Sequence, residues 1–258
     1  MSRRKSSSSR RKPIRIVPLH VAEDKAGDLT SRASPPQLTY RNGPLLQNVE
    51  VFTIFWGTGW QRSPAGNLVP QINDFFNGIL SSSLMDQLAE YSVPGKAIAR
   101  GKFVGTVSMT TPRLQRSVSD AAIRKMLKTL LASQSSVPKP GPNLLYFIYI
   151  QPGTAVVQGG SASCKSFCGY HNDISGHTFY AVMPYPGCSG CTSSLDVLAA
   201  LTSTSSHELC EAVTDPIPGE GWYDDANGEI GDICAWKTKQ VGNFTVQLEW
   251  SNKANRCE

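Results

Sequence analysis

Hydrophobic spacing changes period several times along this chain, and each change marks an element. Residues 49–56 read Val-Glu-Val-Phe-Thr-Ile-Phe-Trp, rich in β-branched and aromatic residues, and predict a strand ended by Gly57 and Gly59. From Pro70 to Tyr91 the apolar positions take helical spacing, at Ile72, Phe75, Phe76, Ile79, Leu80, Leu84, Leu88 and Tyr91. Lys102–Met109 predicts a second strand. Ser119–Ala132 predicts a helix capped by Ser119 or Asp120, with Met126, Leu127, Leu130 and Leu131 inward. The unbroken apolar run Leu144–Ile150 suits a strand buried on both faces. Gly153–Cys191 is loop-rich apart from a strand at Thr178–Met183. Ser194–Val213 predicts a long helix, stopped by Pro216 and Pro218, and Phe244–Trp250 a last strand. This alternation predicts an α/β fold, a three-layer sandwich around a mixed sheet with an active-site helix, zincin-like in plan.

Residues 1–45 are polar, contain Pro and show no sustained period, so they read as a tail and linker, with a short extended piece near Ile14–Pro18. Residues 46–258 read as one α/β domain of a size that buries a sizeable core. The net charge of +5 comes from the tail. Arg3, Arg4, Lys5, Arg10, Arg11 and Lys12 carry six positive charges; removing six from +5 leaves the rest of the chain at −1. The folded body is therefore not a basic nucleic-acid binder, and the Ser-rich tail reads as a solubilising arm. No apolar run reaches the roughly 18 residues that span a bilayer. The Arg pair precedes no apolar segment, so no export signal is recognised.

Seven cysteines point the other way, toward an oxidising compartment. Six lie in loop-like or terminal sequence, leaving Cys210 over. Cys164–Cys168, Cys188–Cys191 and Cys234–Cys257 are the plausible pairs, although spacing does not determine connectivity. A zinc knot of Cys164, Cys168, Cys188 and Cys191 is the rival arrangement.

The densest chemistry is His207-Glu208-Leu209-Cys210-Glu211, followed by Asp215. Residues four apart on a helix lie about 40° from each other around the axis, so His207, Glu211 and Asp215 share a face. An imidazole and a carboxylate one turn apart can hold one divalent cation, with Glu208 beside them as the base for water. This is the layout of H-E-x-x-H metallopeptidases with Glu in the second His position. A catalytic zinc needs about three protein ligands. Glu229 or Asp232 is the candidate third, the other orienting His207, with Asp215 and His171 as further alternatives. Tyr223 is the candidate donor to a developing oxyanion. No Lys or Arg lies between Lys165 and Lys237, so buried acids here lack an obvious cationic partner in the chain. The bland alternative is a set of solvated acids beside a local cap.

Calcium is the competing ion. Asp225-Ala226-Asn227-Gly228-Glu229 resembles the middle of an EF-hand loop, but Tyr223 and Cys234 stand where its first and last acids belong. A looser site of Asp224, Asp225 and Asn227 remains as the alternative.

Three stretches resemble the phosphate-induced protein family, the plant exordium-like proteins and their bacterial relatives. They are Asn42-Gly43-Pro44 leading into Val51–Trp56, Cys168-Gly169-Tyr170-His171, and His207–Pro216 with Trp222-Tyr223 and Glu229–Cys234; the similarity spans residues 38–257. The resemblance implies an extracellular or cell-envelope protein with a metal-site helix, matching His207, Glu208, Glu211, Glu229 and Asp232. It implies no particular reaction. Plant members begin with a signal peptide and this chain does not, so a cytoplasmic site stays open. Two functions follow as expectations. The first is a zinc-dependent hydrolase acting on peptides, with His207, Glu211 and a downstream acid as ligands and Glu208 as general base. The second is a non-catalytic secreted binding or signalling protein, the same residues holding a structural zinc or calcium ion.

Overall fold

The computed structural model describes residues 17–19 and 35–258; the basic stretch of residues 1–12 lies outside them. A six-stranded sheet runs through the molecule in the order β1 (Val17–Pro18), β9 (Phe167–Ile174), β10 (Thr178–Pro184), β6 (Leu144–Ile150), β3 (Asn48–Trp56), β4 (Ala99–Met109). The strands from β10 to β4 are parallel neighbours, whereas β9 and β1 are antiparallel additions at one edge. The sheet is therefore mixed, as the alternation of elements predicts.

Strand β6 shows why its apolar run is unbroken. Leu145, Phe147 and Tyr149 pack on one face with α1 (Leu68–Ile79), α2 (Ser83–Leu88) and α5 (Val197–Thr214). Leu144, Tyr146, Ile148 and Ile150 pack on the other with α3 (Asp120–Ser133). A central parallel strand covered on both faces needs hydrophobic residues at both parities. The remaining strands form small ribbons: β2 (Thr39–Tyr40) with β11 (Trp222–Tyr223), β12 (Thr238–Val241) with β13 (Phe244–Gln247), β14 (Trp250–Ser251) with β15 (Arg256–Cys257), and β5 (Ser117–Ser119) with β7 (Ala155–Gln158) and β8 (Ser161–Ala162). The short α4 (Ser189–Thr192) precedes α5.

Several expectations are corrected. The single helix expected over Pro70–Tyr91 is two, because Ser82 takes an extended conformation and its hydroxyl accepts from Leu84 N–H, starting α2 afresh. The packed body is not confined to residues 46–258: Val17–Pro18 already add a strand to the edge of the sheet, and residues 35–45 pack with the rest. Leu38, Leu45 and Leu46 are core residues, and the amide of Leu38 bonds to the Asn252 side chain. The loop expected around residues 167–174 is strand β9. Its Phe167 and Tyr170 join the α3-side core, and Tyr170 and Tyr180 both donate to Asp120 Oδ1 at 2.8 and 2.7 Å. The last strand ends at Gln247; Trp250 belongs to a separate ribbon.

The disulfides are Cys164–Cys188, Cys168–Cys191 and Cys234–Cys257. Two of the expected pairs are thus crossed and the third stands. Cys188 takes the N-cap position of α4 and Cys191 lies within it, and they reach across to the segment entering β9 and to β9 itself rather than to each other. The zinc knot is excluded because its four thiols are consumed. Cys210 stays a buried thiol. No helix of the described residues is long and apolar enough to cross a membrane.

Candidate metal centre

Helix α5 is buried on every side from Ala200 to Thr214, although its sequence is not amphipathic. Small hydroxyl residues allow this. Ser206 bonds back to the Ser203 carbonyl and Thr214 to that of Cys210, while Thr202 reaches Thr245 O and Ser205 meets the Tyr149 hydroxyl at 2.7 Å. These four hydroxyls are satisfied, which lowers the polar cost of passing the helix through the interior. Asp196 caps its start by accepting from Ala199 N–H.

Within this interior, α5 presents His207, Glu208 and Glu211, and β9 presents His171 opposite them. All four are at most 2 % exposed, and Glu229 is fully buried beside them. His171 Nδ1 lies 3.2 Å from Glu208 Oε2 and 3.5 Å from Glu211 Oε2, and its Nε2 lies 3.5 Å from Glu229 Oε1. His207 Nε2 lies 2.9 Å from Glu211 Oε1. Asp232 is half-buried; its Oδ2 accepts from Glu229 N–H at 3.1 Å, and it stands within ligand distance of His207 and Glu211. Donor atoms of His171, Glu211 and Glu229 lie within 4.8 Å of one another, as do those of His207, Glu211 and Asp232. The structure therefore brings Glu229 and Asp232, eighteen or more residues downstream, back to the α5 residues.

Several of these atoms are orphans. His207 Nε2, Glu208 Oε1, Glu211 Oε1 and both Glu229 oxygens are buried without a hydrogen-bond partner in the structure. His207 Nε2 and Glu211 Oε1 are close but not aligned as donor and acceptor. Buried polar atoms are seldom left this way, and unpaired charges still less. A cation beside Glu211 would give the orphaned carboxylate oxygens nearest it a partner, and His with carboxylate oxygen is a donor set that zinc accepts.

The two rings are set differently. His171 Nε2 meets the Asp215 carbonyl at 3.1 Å, which makes Nε2 the donor and leaves Nδ1 to face Glu208 and Glu211. His207 Nδ1 lies 2.8 Å from Gln247 Nε2. That amide also donates to Gly231 O, and its oxygen accepts from Trp236 N–H. With the amide held by two backbone groups, Nδ1 is the acceptor and the neutral ring carries its proton on Nε2.

Burial disfavours charge on both imidazoles, but the surrounding carboxylates more than offset it and raise both rings well above the ordinary histidine value. Burial also raises Glu208 and Glu229, the latter strongly because Glu211 adds its negative charge. Glu211 goes the other way: burial opposes its ionisation, yet the two rings flanking it hold it at about 2.

The expected common face of His207, Glu211 and Asp215 holds only for the first two. Asp215 leaves the helix with φ −149° and ψ 61°. Its carboxylate instead accepts from the backbone N–H groups of Gly219, Glu220 and Gly221, so it anchors the following loop. Tyr223 sits in the β2–β11 ribbon, its ring 4.5 Å beneath the Arg41 guanidinium. The calcium loop is committed elsewhere: Asp224 accepts from Gln37, Ala226 and Asn227 N–H, and Asp225 pairs with Arg41 at 2.9 Å. Sequence reasoning did not single out Gln247 or Glu249. Both Glu249 oxygens are buried without a partner, and only its place after strand β13 hints at this.

No family model matches the chain, and no curated protein matches it. Among solved structures it is similar to one titled "Structure of a chaperone-substrate complex", with TM-score 0.33 and 15 % identity. The match covers 75 % of this chain and 30 % of that one. A likeness at that level carries no argument about fold or function.

Proposed function

We propose that the protein is a metalloprotein with a hydrolase-type centre. A divalent cation, with zinc the best match to the donors, is held by His171, Glu211 and Glu229, with His207 and Asp232 adjoining. The observation that carries the reading is the set of buried His and Glu atoms with no hydrogen-bond partner around Glu211. Bound there, zinc would supply Lewis acidity toward a carbonyl substrate such as a peptide bond. Glu208, whose Oε1 is unpartnered and whose carboxyl burial raises, is the group suited to take a proton from water.

One observation favours the second reading, a structural ion in a non-catalytic protein. The donors are at most 2 % exposed, and Glu208 Oε2 is occupied by His171. Metal analysis of the purified protein, with peptide cleavage by wild type and Glu208→Gln, separates the two. A hydrolase gives bound zinc in both proteins and a loss of about 100-fold or more in the variant. Bound zinc without cleavage supports the structural ion, and protein that takes up no metal defeats both.

A further inference from the structure

Glu211 faces two imidazoles with two different oxygens. Its Oε1 lies 2.9 Å from His207 Nε2, and its Oε2 lies 3.5 Å from His171 Nδ1. Each ring is grouped with an acid of its own: Glu229 with His171, and Asp232 with His207. We propose that the centre takes two divalent cations bridged by the Glu211 carboxylate, one held with His171 and Glu229 and the other with His207 and Asp232. This rests on the metal-binding reading above and extends it from one ion to two.

The spacing fits. Ligand atoms about 2.1 Å from a tetrahedral zinc lie about 3.4 Å from one another. His171 Nδ1 to Glu211 Oε2 is 3.5 Å and His207 Nε2 to Glu211 Oε1 is somewhat closer at 2.9 Å, while Glu229 and Asp232 each bring an oxygen within 4.8 Å of the other donors of their group. A carboxylate that spends one oxygen on each ion holds a pair about 3.5–4 Å apart, as in two-metal hydrolytic centres.

Charge points the same way. Glu208, Glu211, Glu229 and Asp232 bring four negative charges when ionised, and neutral imidazoles bring none. One divalent ion leaves two of these four charges unmatched in a largely buried site; two match all four. Asp215 is a further acid beside the His171 site, and the three backbone N–H groups that serve its carboxylate hold it in place without an ion of its own. Glu249 lies outside both donor groups.

The halves are unequal. The Asp215 carbonyl already holds His171 with Nδ1 open to the carboxylates. His207 must first give up its Nε2 proton, and the Gln247 amide must turn over to accept one from Nδ1. That turn breaks its bonds to Gly231 and Trp236. The His171 site fills first and the His207 site more weakly.

The test loads chelator-stripped full-length protein with Mn2+ and Zn2+. Wild type is expected to bind two equivalents in two resolved steps, the first at least tenfold tighter. The Mn2+-loaded protein is expected to show the spin-coupled resonance of a carboxylate-bridged pair. Asp232→Asn is expected to keep the tight step and lose the weak one, together with the coupled signal. Glu229→Gln is expected to lose the tight step. Circular dichroism confirms that each variant folds, and the wild-type resonance requires no variant. A single equivalent with an uncoupled signal overturns the two-ion centre while leaving the metal reading intact. No uptake overturns both, and two coupled ions surviving in folded Asp232→Asn overturn the assignment of donors.

Discussion

Glu249 shows how far one side chain can be out of balance with its surroundings. It is fully buried, neither oxygen has a hydrogen-bond partner, and burial raises its carboxyl well above the ordinary 4.5. The folded protein therefore holds this proton more tightly than the unfolded chain. Stability is greatest below pH 4.5 for this group and falls as pH rises through the raised folded value. Glu249→Gln removes that slope. Urea unfolding of metal-free protein is expected to show the variant more stable than wild type at pH 8, by about 1–3 kcal/mol. The two are expected to converge near pH 4. A variant less stable at pH 8 would show that His207 and Lys239 hold Glu249 in its ionised form. The residue types of the centre were legible beforehand, because His207, Glu208 and Glu211 fall within five residues. His171 was legible only as one alternative ligand among several, because nothing local marks its ring as the one whose Nε2 is held by a distant carbonyl.

At the scale of elements, the centre depends on how closely β9 approaches α5. Gly169 makes the contact possible: a Cβ there would fall 2.8 Å from Thr204 Cγ2 and 3.0 Å from Glu208 Oε1. Gly169→Ala is expected to destabilise by about 1–3 kcal/mol, and Thr204→Ser, which removes that methyl, to recover part of the loss. Thermal or urea unfolding of the single and double variants checks this; equal stability of all four proteins would mean that strand and helix separate at no cost. The helix start is a second local device. Asp196→Ala leaves Ala199 N–H without its cap and is expected to cost about 1 kcal/mol in the same measurement. Both elements were readable in part. Helix α5 announced itself by length and by its terminating prolines. Strand β9 did not, because Gly169, Asn172 and Asp173 interrupt its apolar residues and two disulfides hold the region in shape.

Across the whole molecule, the centre is assembled from four distant pieces: β9, α5, the segment around Glu229 and Asp232, and strand β13 with Gln247. The Cys234–Cys257 disulfide, two residues past Asp232, ties the third piece to the C-terminal ribbon. Replacing both cysteines by serine is expected to cost about 2–4 kcal/mol in urea unfolding. It is also expected to weaken metal uptake at the Asp232 side more than at the His171 side. Unchanged stability would show that the ribbon holds its place without the covalent link. The three disulfides are consistent with an extracellular protein.

The hydrophobic pattern was enough to establish the α/β class and the buried central strand β6, and length with terminating prolines was enough for the helix bearing the His/Glu pair, because those signals extend over seven or more neighbouring residues. Proximity between segments has no local signature. The tertiary structure alone decided that residues 35–45 belong to the body, which cysteines cross-link, and that Asp215 secures a loop. It alone decided that His171 and Glu229 meet across Glu211. Each of these depends on backbone paths closing over stretches of tens of residues, where burial and packing of the whole chain select the partner.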